Sequence, residues 1–465
     1  MKKFYINFKE DLPKYKQISQ HIKKLINNNC IADGERLPTI RKYSKFLEVN
    51  TVTIVKAYEL LENEGYAKKK MGSGTYAKRK EGKRNILKEY SSAYKKLIRG
   101  NLKNFIDFTG ETLSSEFFPV QTFKNVLNEV LDRDGSEAFI YQDALGYRGL
   151  RESVSNYFWE NKVDPENILI VSGAQQGIDI ISKAIINVND NVIIEKPSYS
   201  GAINVFKWRR ANIIEINMDT DGIDIDNFEK ILKKNKVKCF YMMPYFQNPT
   251  GVTYSIEKKK RILELAEIYD FFVIEDDYLS DIIYNDKIKY NSLKSMDKND
   301  RVIYIKSFSK IFLPGIRIGY IIPPKKFSEI IQTLKINTDR TTSSLMQRAL
   351  DIYIRKGFWK KHIDFLNEEY KKRYEFLLYQ FNNVLKDKVN LYNPNGGLNF
   401  FVEIKGDKIN CIDLFNGCKE KNVLITPGVI YYLNSEDGLK YFKIGFSQAD
   451  IYQIDRGINI INDIL

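Results

Sequence analysis

From about residue 105 onward, short unbroken apolar runs alternate with helical stretches, and this alternation limits the possible folds of the 465-residue chain more than any other feature. NILIVSG, NVIIEKPSY, IIEIN, VKCFYMMP, FFVIEDD and RVIYIKSFS each carry apolar residues on successive positions, so both faces of each strand are buried. Between them, QQGIDIISKAIINV and SIEKKKRILELAEIYD repeat apolar residues at helical spacing. Buried strands separated by helices build an α/β fold with a mainly parallel sheet. Ligands of such sheets bind beyond the strand carboxyl ends. The polar motifs sit there: SGAQQG, EKPSYSG, PYFQNPTG, EDDY and SFSK each close a strand.

Each motif offers part of a ligand site. SGAQQG opens a helix whose free N–H groups suit a phosphate. Tyr199 can stack on a flat ring, and Asn248 and Tyr278 can reach a phenolic oxygen. Asp276, at a dry strand end, needs a cationic partner. The stretch SFSKIFLPGIRIGY sets Lys310, an amine nucleophile, among Ser307, Ser309 and Arg317, all good phosphate ligands. A flat phosphorylated ring with a ring cation, a phenol and an aldehyde satisfies all of these. Pyridoxal 5'-phosphate is such a molecule.

The charge is uneven. Residues 1–80 hold 18 Lys+Arg against 8 Asp+Glu, and the other 385 residues hold 55 against 51. A basic segment of this kind is the footprint of a polyanion partner. LPKYKQISQHIKKLINNNC places Tyr15, Ile18, Ile22, Leu25 and Ile26 at helical spacing. TIRKYSKFLE predicts a second helix with Thr39 as N-cap. TVTIVKAYELLENEG predicts a third, with Val52, Val55, Tyr58 and Leu61 as its apolar face and Gly65 at its end. Two extended runs around MGSG signal a hairpin. Three helices and a hairpin make a winged helix-turn-helix, whose third helix enters the major groove while the wing follows phosphates. Arg36-Leu-Pro, Arg41, the TVT start, EGY and GSGT resemble the GntR-type DNA-binding domain. That resemblance implies DNA contacts from Arg41, Thr51, Thr53, Lys56, Lys69 and Lys70. Many such domains place arginines where this chain has Thr51 and Val55, so their sequence preference does not carry over.

Residues 105–465 resemble the fold-type I, class I/II aminotransferases in the order and local sequence of their motifs. The resemblance implies that Lys310 forms an aldimine with the cofactor and that Asp276 keeps the pyridine nitrogen protonated. It gives Tyr278 and Asn248 to the ring oxygen and Tyr199 to the ring face. Ala174, Gln175, Ser307, Ser309 and Arg317 would hold phosphate. Tyr141, in YQDALGYRGLRE, would reach the partner subunit's phosphate in a homodimer. One departure stands out: Lys443, in YFKIGFS, occupies the place of an arginine that forks a substrate carboxylate, keeping the charge but losing the bidentate geometry.

The expected organisation is therefore a winged helix over 1–79, a basic linker over 80–104, a cofactor-binding large domain over 105–335 and a small α+β domain over 336–465. This is the pattern of the MocR/GabR subfamily of GntR regulators. It implies a cytoplasmic, bacterial, DNA-binding regulator that senses pyridoxal phosphate or an amine through Lys310 and reads an operator of repeated half-sites. Two alternatives share the same residues: an active amino-acid aminotransferase with an accessory DNA-binding domain, and a cofactor-responsive regulator of vitamin B6 synthesis. No apolar run approaches the roughly 20 residues needed to span a membrane. The four cysteines form no CxxC pair and the two histidines, His21 and His362, lie far apart, so no metal site is expected.

Overall fold

The structure, a computed structural model, describes residues 2–6, 8, 12–27, 30–32, 34–70, 73–78, 90–93, 95, 105–110, 113–285 and 288–465. The chain divides into two compact units, Met1–Ser92 and Ala93–Leu465. The linker expected over 80–104 falls largely outside the described residues, as does the hairpin tip at 71–72.

In the first unit, α1 (Lys14–Asn27) buries Ile18, Ile22 and Ile26. Thr39 caps α2 (Ile40–Leu47), its hydroxyl accepting from the Lys42 amide at 3.4 Å. Asn50 caps α3 (Thr51–Asn63) through the Val52 amide at 2.9 Å, and Gly65 follows the helix at φ +78°. An antiparallel hairpin of β1 (Ala67–Lys70) and β2 (Gly74–Ala77) completes the winged helix. The core joins these elements: Tyr43 donates to the Phe4 carbonyl and Tyr58 to the Pro38 carbonyl, so two large rings are buried without losing their polar partners.

The apolar face of α3 differs from expectation. Ile54, Ala57, Tyr58 and Leu61 are buried, whereas Val52 is 56% exposed and Val55 only half-buried. Steps of three lag behind a helix of about 3.6 residues per turn. The expected set Val52, Val55, Tyr58, Leu61 therefore winds around roughly half the circumference, while the observed set lies within about 100°.

The second unit opens with a short strand, β3 (Ile106–Asp107). Its central sheet holds β4 (Leu169–Val171), β5 (Asn191–Lys196), β6 (Asn212–Asp219), β7 (Gly222–Ile223), β8 (Val237–Met242), β9 (Phe272–Asp277), β10 (Val302–Ser307) and β11 (Gly319–Ile322). The order is β4-β11-β10-β9-β8-β5-β6-β7, with β10, β9, β8, β5 and β6 parallel. All six apolar runs are strands of this sheet. The antiparallel β11 has no counterpart among them, being only four residues long and fused to the motif that precedes it. It pairs Gly319 with both Ser307 and Val171, which brings its start to the edge where β4 and β10 end. A smaller antiparallel sheet contains β12 (Val389–Leu391) and β13 (Asn399–Ile404). Beyond β14 (Val423–Leu424), which pairs with β3, the sheet gains β15 (Thr426–Pro427) and β16 (Tyr441–Gly445), in the order β12-β13-β16-β15.

β9 ends in three consecutive acids, Glu275, Asp276 and Asp277, each no more than 2% exposed. Buried charges need compensation. Glu275 accepts from the Leu293 and Lys294 amides, both at 2.8 Å. Burial pushes Asp277 upward, but the Lys306 ammonium and the hydroxyls of Ser280, Tyr304 and Tyr290 outweigh it and hold its pKa below the usual value. Lys306 lies opposite Asp277 in the β9–β10 register and also meets Asp281 at 2.7 Å. Lys306→Met should cost about 3–5 kcal/mol by leaving Asp277 without its cation. Denaturation followed by tryptophan fluorescence reads this, because all three tryptophans, Trp159, Trp208 and Trp359, lie in this unit. Adding Asp277→Asn should recover part of the loss, and a single variant as stable as the parent would contradict the account.

Candidate functional site

The carboxyl ends of β4, β5, β8, β9 and β10 meet at one edge of the sheet. A cavity of about 300 Å³ opens there, lined by Ala174, Gln175, Tyr199, Met243, Asn248, Asp276, Tyr278, Ser307, Ser309, Lys310, Pro314 and Arg317. Ten of these come from the sequence reading. Met243 and Pro314 are additions that no side-chain chemistry announced.

Local geometry explains how each arrives. Ala174 and Gln175 begin the helix Ala174–Ile185 after Gly173. Gly173 has φ +89°, which favours glycine, and a Cβ there would stand 2.6 Å from the Arg317 guanidinium and displace it. Arg317 itself has φ +50° and donates to the Ser172 carbonyl at 3.2 Å. The Tyr199 hydroxyl donates to Gln175 at 3.1 Å, and Tyr278 donates to the Phe246 carbonyl at 2.9 Å. Glu195, fully buried, knits two loops together. It accepts from Gln247, Tyr254 and the Met243 amide, while Gln247 also donates to the Pro197 carbonyl and accepts from Thr250. Burial still pushes Glu195 up to about 8 against those donors. This network holds the loops that carry Tyr199 and Asn248.

Three atoms of the lining residues are buried and have no hydrogen-bond partner among the described residues: Asn248 Oδ1, Asp276 Oδ1 and Ser309 Oγ. An unmet buried polar atom is costly and invites a ligand. Asp276 is the clearest case. Its Oδ2 accepts from Tyr241 at 2.6 Å, yet burial pushes its pKa up to about 7, with the neighbouring Asp277 charge adding to the rise. Of the three β9 acids, it alone has one oxygen held by a neutral phenol and the other left to the cavity. The set suits a ligand that brings a cationic N–H to Asp276 and an anion to Ser307, Ser309 and Arg317. Tyr241 was not legible as a site residue, because it reads as one more apolar position in VKCFYMMP.

The remaining expected residues lie elsewhere. Tyr141 is 74% exposed, with the Arg340 guanidinium 5.5 Å from its ring centre, and does not line the cavity of its own chain. Lys443 lies on β16, 2% exposed, with its ammonium 5.8 Å from the centre of the Tyr431 ring, and is also outside the lining. In the first unit, Arg41 is exposed on α2, Thr51 and Lys56 are exposed on α3, and Lys69 and Lys70 are exposed on β1. Thr53 is half-buried at the flank of α3.

A raised carboxyl pKa stabilises the fold below the unfolded value of about 3.9, and that stability is lost as pH rises through the folded value. For Asp276 the loss runs up to about pH 7. A shift of this size corresponds to on the order of 4 kcal/mol at higher pH. Ligand-free Asp276→Asn should therefore melt above the parent at pH 8.5, with the gap narrowing to about a third by pH 5 and closing near pH 4. Glu195 and Glu275 titrate in both proteins; the Asp276 charge adds to the rise of Glu195, so its removal eases Glu195 as well and acts in the same direction at pH 8.5. A parent that melts higher at pH 8.5 would refute the assignment.

Comparison with known proteins agrees with both units. The family model described as aminotransferase class I and II matches residues 110–461, and that of bacterial regulatory proteins, gntR family, matches residues 14–77. The Bacillus subtilis uncharacterized HTH-type transcriptional regulator YdfD is 30% identical, covering 96% of this chain and 95% of its own. The crystal structure of Pyrococcus horikoshii kynurenine aminotransferase in complex with PMP is similar at 28% identity and TM-score 0.76, over 80% of this chain and 93% of that one. LysN, the α-aminoadipate aminotransferase from Thermus thermophilus, complexed with N-(5'-phosphopyridoxyl)-L-leucine, is similar at 26% identity and TM-score 0.74, over 79% of this chain and 94% of that one. The chain belongs to the aminotransferase class I and II family and carries ahead of that domain a gntR-family DNA-binding domain, which is the MocR-type architecture.

Proposed function

We propose that the chain is a transcriptional regulator that binds DNA through its first unit and pyridoxal phosphate in the cavity of its second. The observation that carries the reading is the union, in one chain, of a winged helix with a cavity whose unpartnered Asp276, Asn248 and Ser309 atoms match that cofactor. When bound, pyridoxal phosphate supplies an aldehyde that accepts an amine and a ring that draws electrons. Asp276 would keep the ring nitrogen protonated. Tyr278 and Asn248 would serve the ring oxygen, and Tyr199 the ring face. Ser307, Ser309, Arg317 and the amides of Ala174 and Gln175 would hold the phosphate, leaving the aldehyde to the Lys310 amine. An amine or amino-acid effector would compete with Lys310 for that aldehyde, and the exchange would bias DNA binding.

The domain limits that serve this reading are 1–79, 80–104, 105–335 and 336–465. A homodimer would use Tyr141 at the partner subunit's cofactor. Exposed Val120, Leu131, Phe139 and Ile140 offer apolar surface near it in sequence. Two winged helices would then read an operator of repeated half-sites. Lys443, in place of the carboxylate-forking arginine, favours sensing over turnover. Among the described residues no helix is long and apolar enough to cross a membrane, which accords with a cytoplasmic regulator.

Two measurements test the reading. Protein loaded with pyridoxal phosphate and desalted should keep a visible absorption band that Lys310→Ala lacks; a colourless parent would sink the cofactor assignment. In a mobility-shift assay, the full chain should retard DNA from upstream of its own gene, with affinity falling steeply as salt rises. Sustained conversion of amino acids with 2-oxoglutarate, in the absence of any DNA shift, would favour the aminotransferase instead.

A further inference from the structure

Five consecutive β-branched residues, Thr51, Val52, Thr53, Ile54 and Val55, form the first turn and a half of α3. Such residues are poor helix formers, since the preceding turn restricts their χ1. Core packing accounts for only one of them: Ile54 is fully buried, Thr51 and Val52 are exposed, and Thr53 and Val55 are half-buried. The buried face of Ile54, Ala57, Tyr58 and Leu61 leaves Val52 near the middle of the opposite, outward face, with Val55 about 60° to one side and Lys56 one turn on; Thr51, about 100° from Val52, is exposed at the helix start. The first two turns of that outward face carry no arginine, asparagine or glutamine; Asn50 is engaged as the N-cap, and Glu59 and Asn63 follow on the later turns. Its leading end therefore lacks the forked donors that read guanine and the amides that read adenine.

We infer that α3 reads its operator through thymine 5-methyl groups, with Val52 as the specificity-determining residue and the Val55 methyls beside it. The inference rests on the regulatory reading above, and the partner of this face is the major groove of duplex DNA. Charge complementarity supports that partner: Arg41, Lys42, Lys45, Lys69 and Lys70 are exposed around α3 in a segment with 18 basic and 8 acidic residues. In a helix-turn-helix, the first residues of the recognition helix meet the base edges. A thymine methyl is the one apolar group that the major groove displays, and short aliphatic side chains are its natural contact. Val52 is well suited because its χ1 is already fixed by the helix, so docking orders little that was free. Lys56 serves phosphate and adds affinity without sequence information.

The test uses the full chain and a duplex enriched by it from a random-sequence pool. Each thymine is replaced in turn by deoxyuridine, which removes only the 5-methyl. At one or two positions in each half-site, affinity should fall about fourfold, the worth of one buried methyl. Val52→Ala should weaken binding to the thymine duplex and abolish the thymine–deoxyuridine difference at one position. Alanine is the better helix former, so this change does not threaten α3. Lys56→Ala should lower the salt slope by about 1 and leave the difference intact. Tight binding that tolerates deoxyuridine everywhere, or a Val52→Ala protein that keeps the full difference, overturns the methyl reading and leaves DNA binding standing. If no duplex is enriched at low salt, the regulatory reading falls, and this inference with it.

Discussion

The second unit depends on keeping three adjacent carboxylates dry at the end of β9. Backbone amides hold Glu275, and Lys306 with three hydroxyls holds Asp277. Asp276 has only the Tyr241 phenol. This inequality is what turns a structural strand into a binding site. A sheet that compensated all three equally would be more stable and would have no electrostatic need for a ligand. The positions are set by pleat: the side chains of Glu275 and Asp277 share one face of β9, and Asp276 has the other to itself. The cation that serves Asp277 therefore cannot serve its neighbour.

A second constraint ties the loops of the cavity to one another. Glu195 is the penultimate residue of β5, and Gln247 precedes the Asn248-Pro249 turn. Their hydrogen bonds join the segment bearing Tyr199 to the segment bearing Asn248. Neither Glu195 nor Gln247 lines the cavity, yet both fix the distance between two residues that do. Such supporting residues set how well a site is preorganised.

Much of this was legible in the sequence, and for physical reasons. Strands buried on both faces announce themselves as continuous apolar runs, and the carboxyl ends of such runs are where ligands of these sheets bind. Ser307, Ser309, Lys310, Asp276 and Asn248 were read that way, and they line the cavity. Tyr241 and Glu195 were not, because a buried strand residue that hydrogen-bonds across the sheet looks like its apolar neighbours or like a strand-end charge. The face of α3 was misjudged because apolar β-branched residues on both sides of its first turn allowed steps of three to be followed, and such a set drifts around the helix instead of keeping to one face. The surroundings of Lys443 depend on Tyr431, twelve residues away on a different element, and no spacing rule connects them.

The pairing of β3 with β14 has a mechanical meaning. The two described residues on which β3 rests, Ile106 and Asp107, follow directly on the basic segment, and their partners are more than three hundred positions later in the chain. Phe108 continues the tie by accepting from the Gly445 amide, and Gly110 lies so close to Gly445 that neither tolerates a Cβ. Gly445 ends β16, the strand of Lys443. The described chain that begins at Phe105 is thus anchored by backbone bonds to β14 and to the strand of Lys443, not to the central sheet.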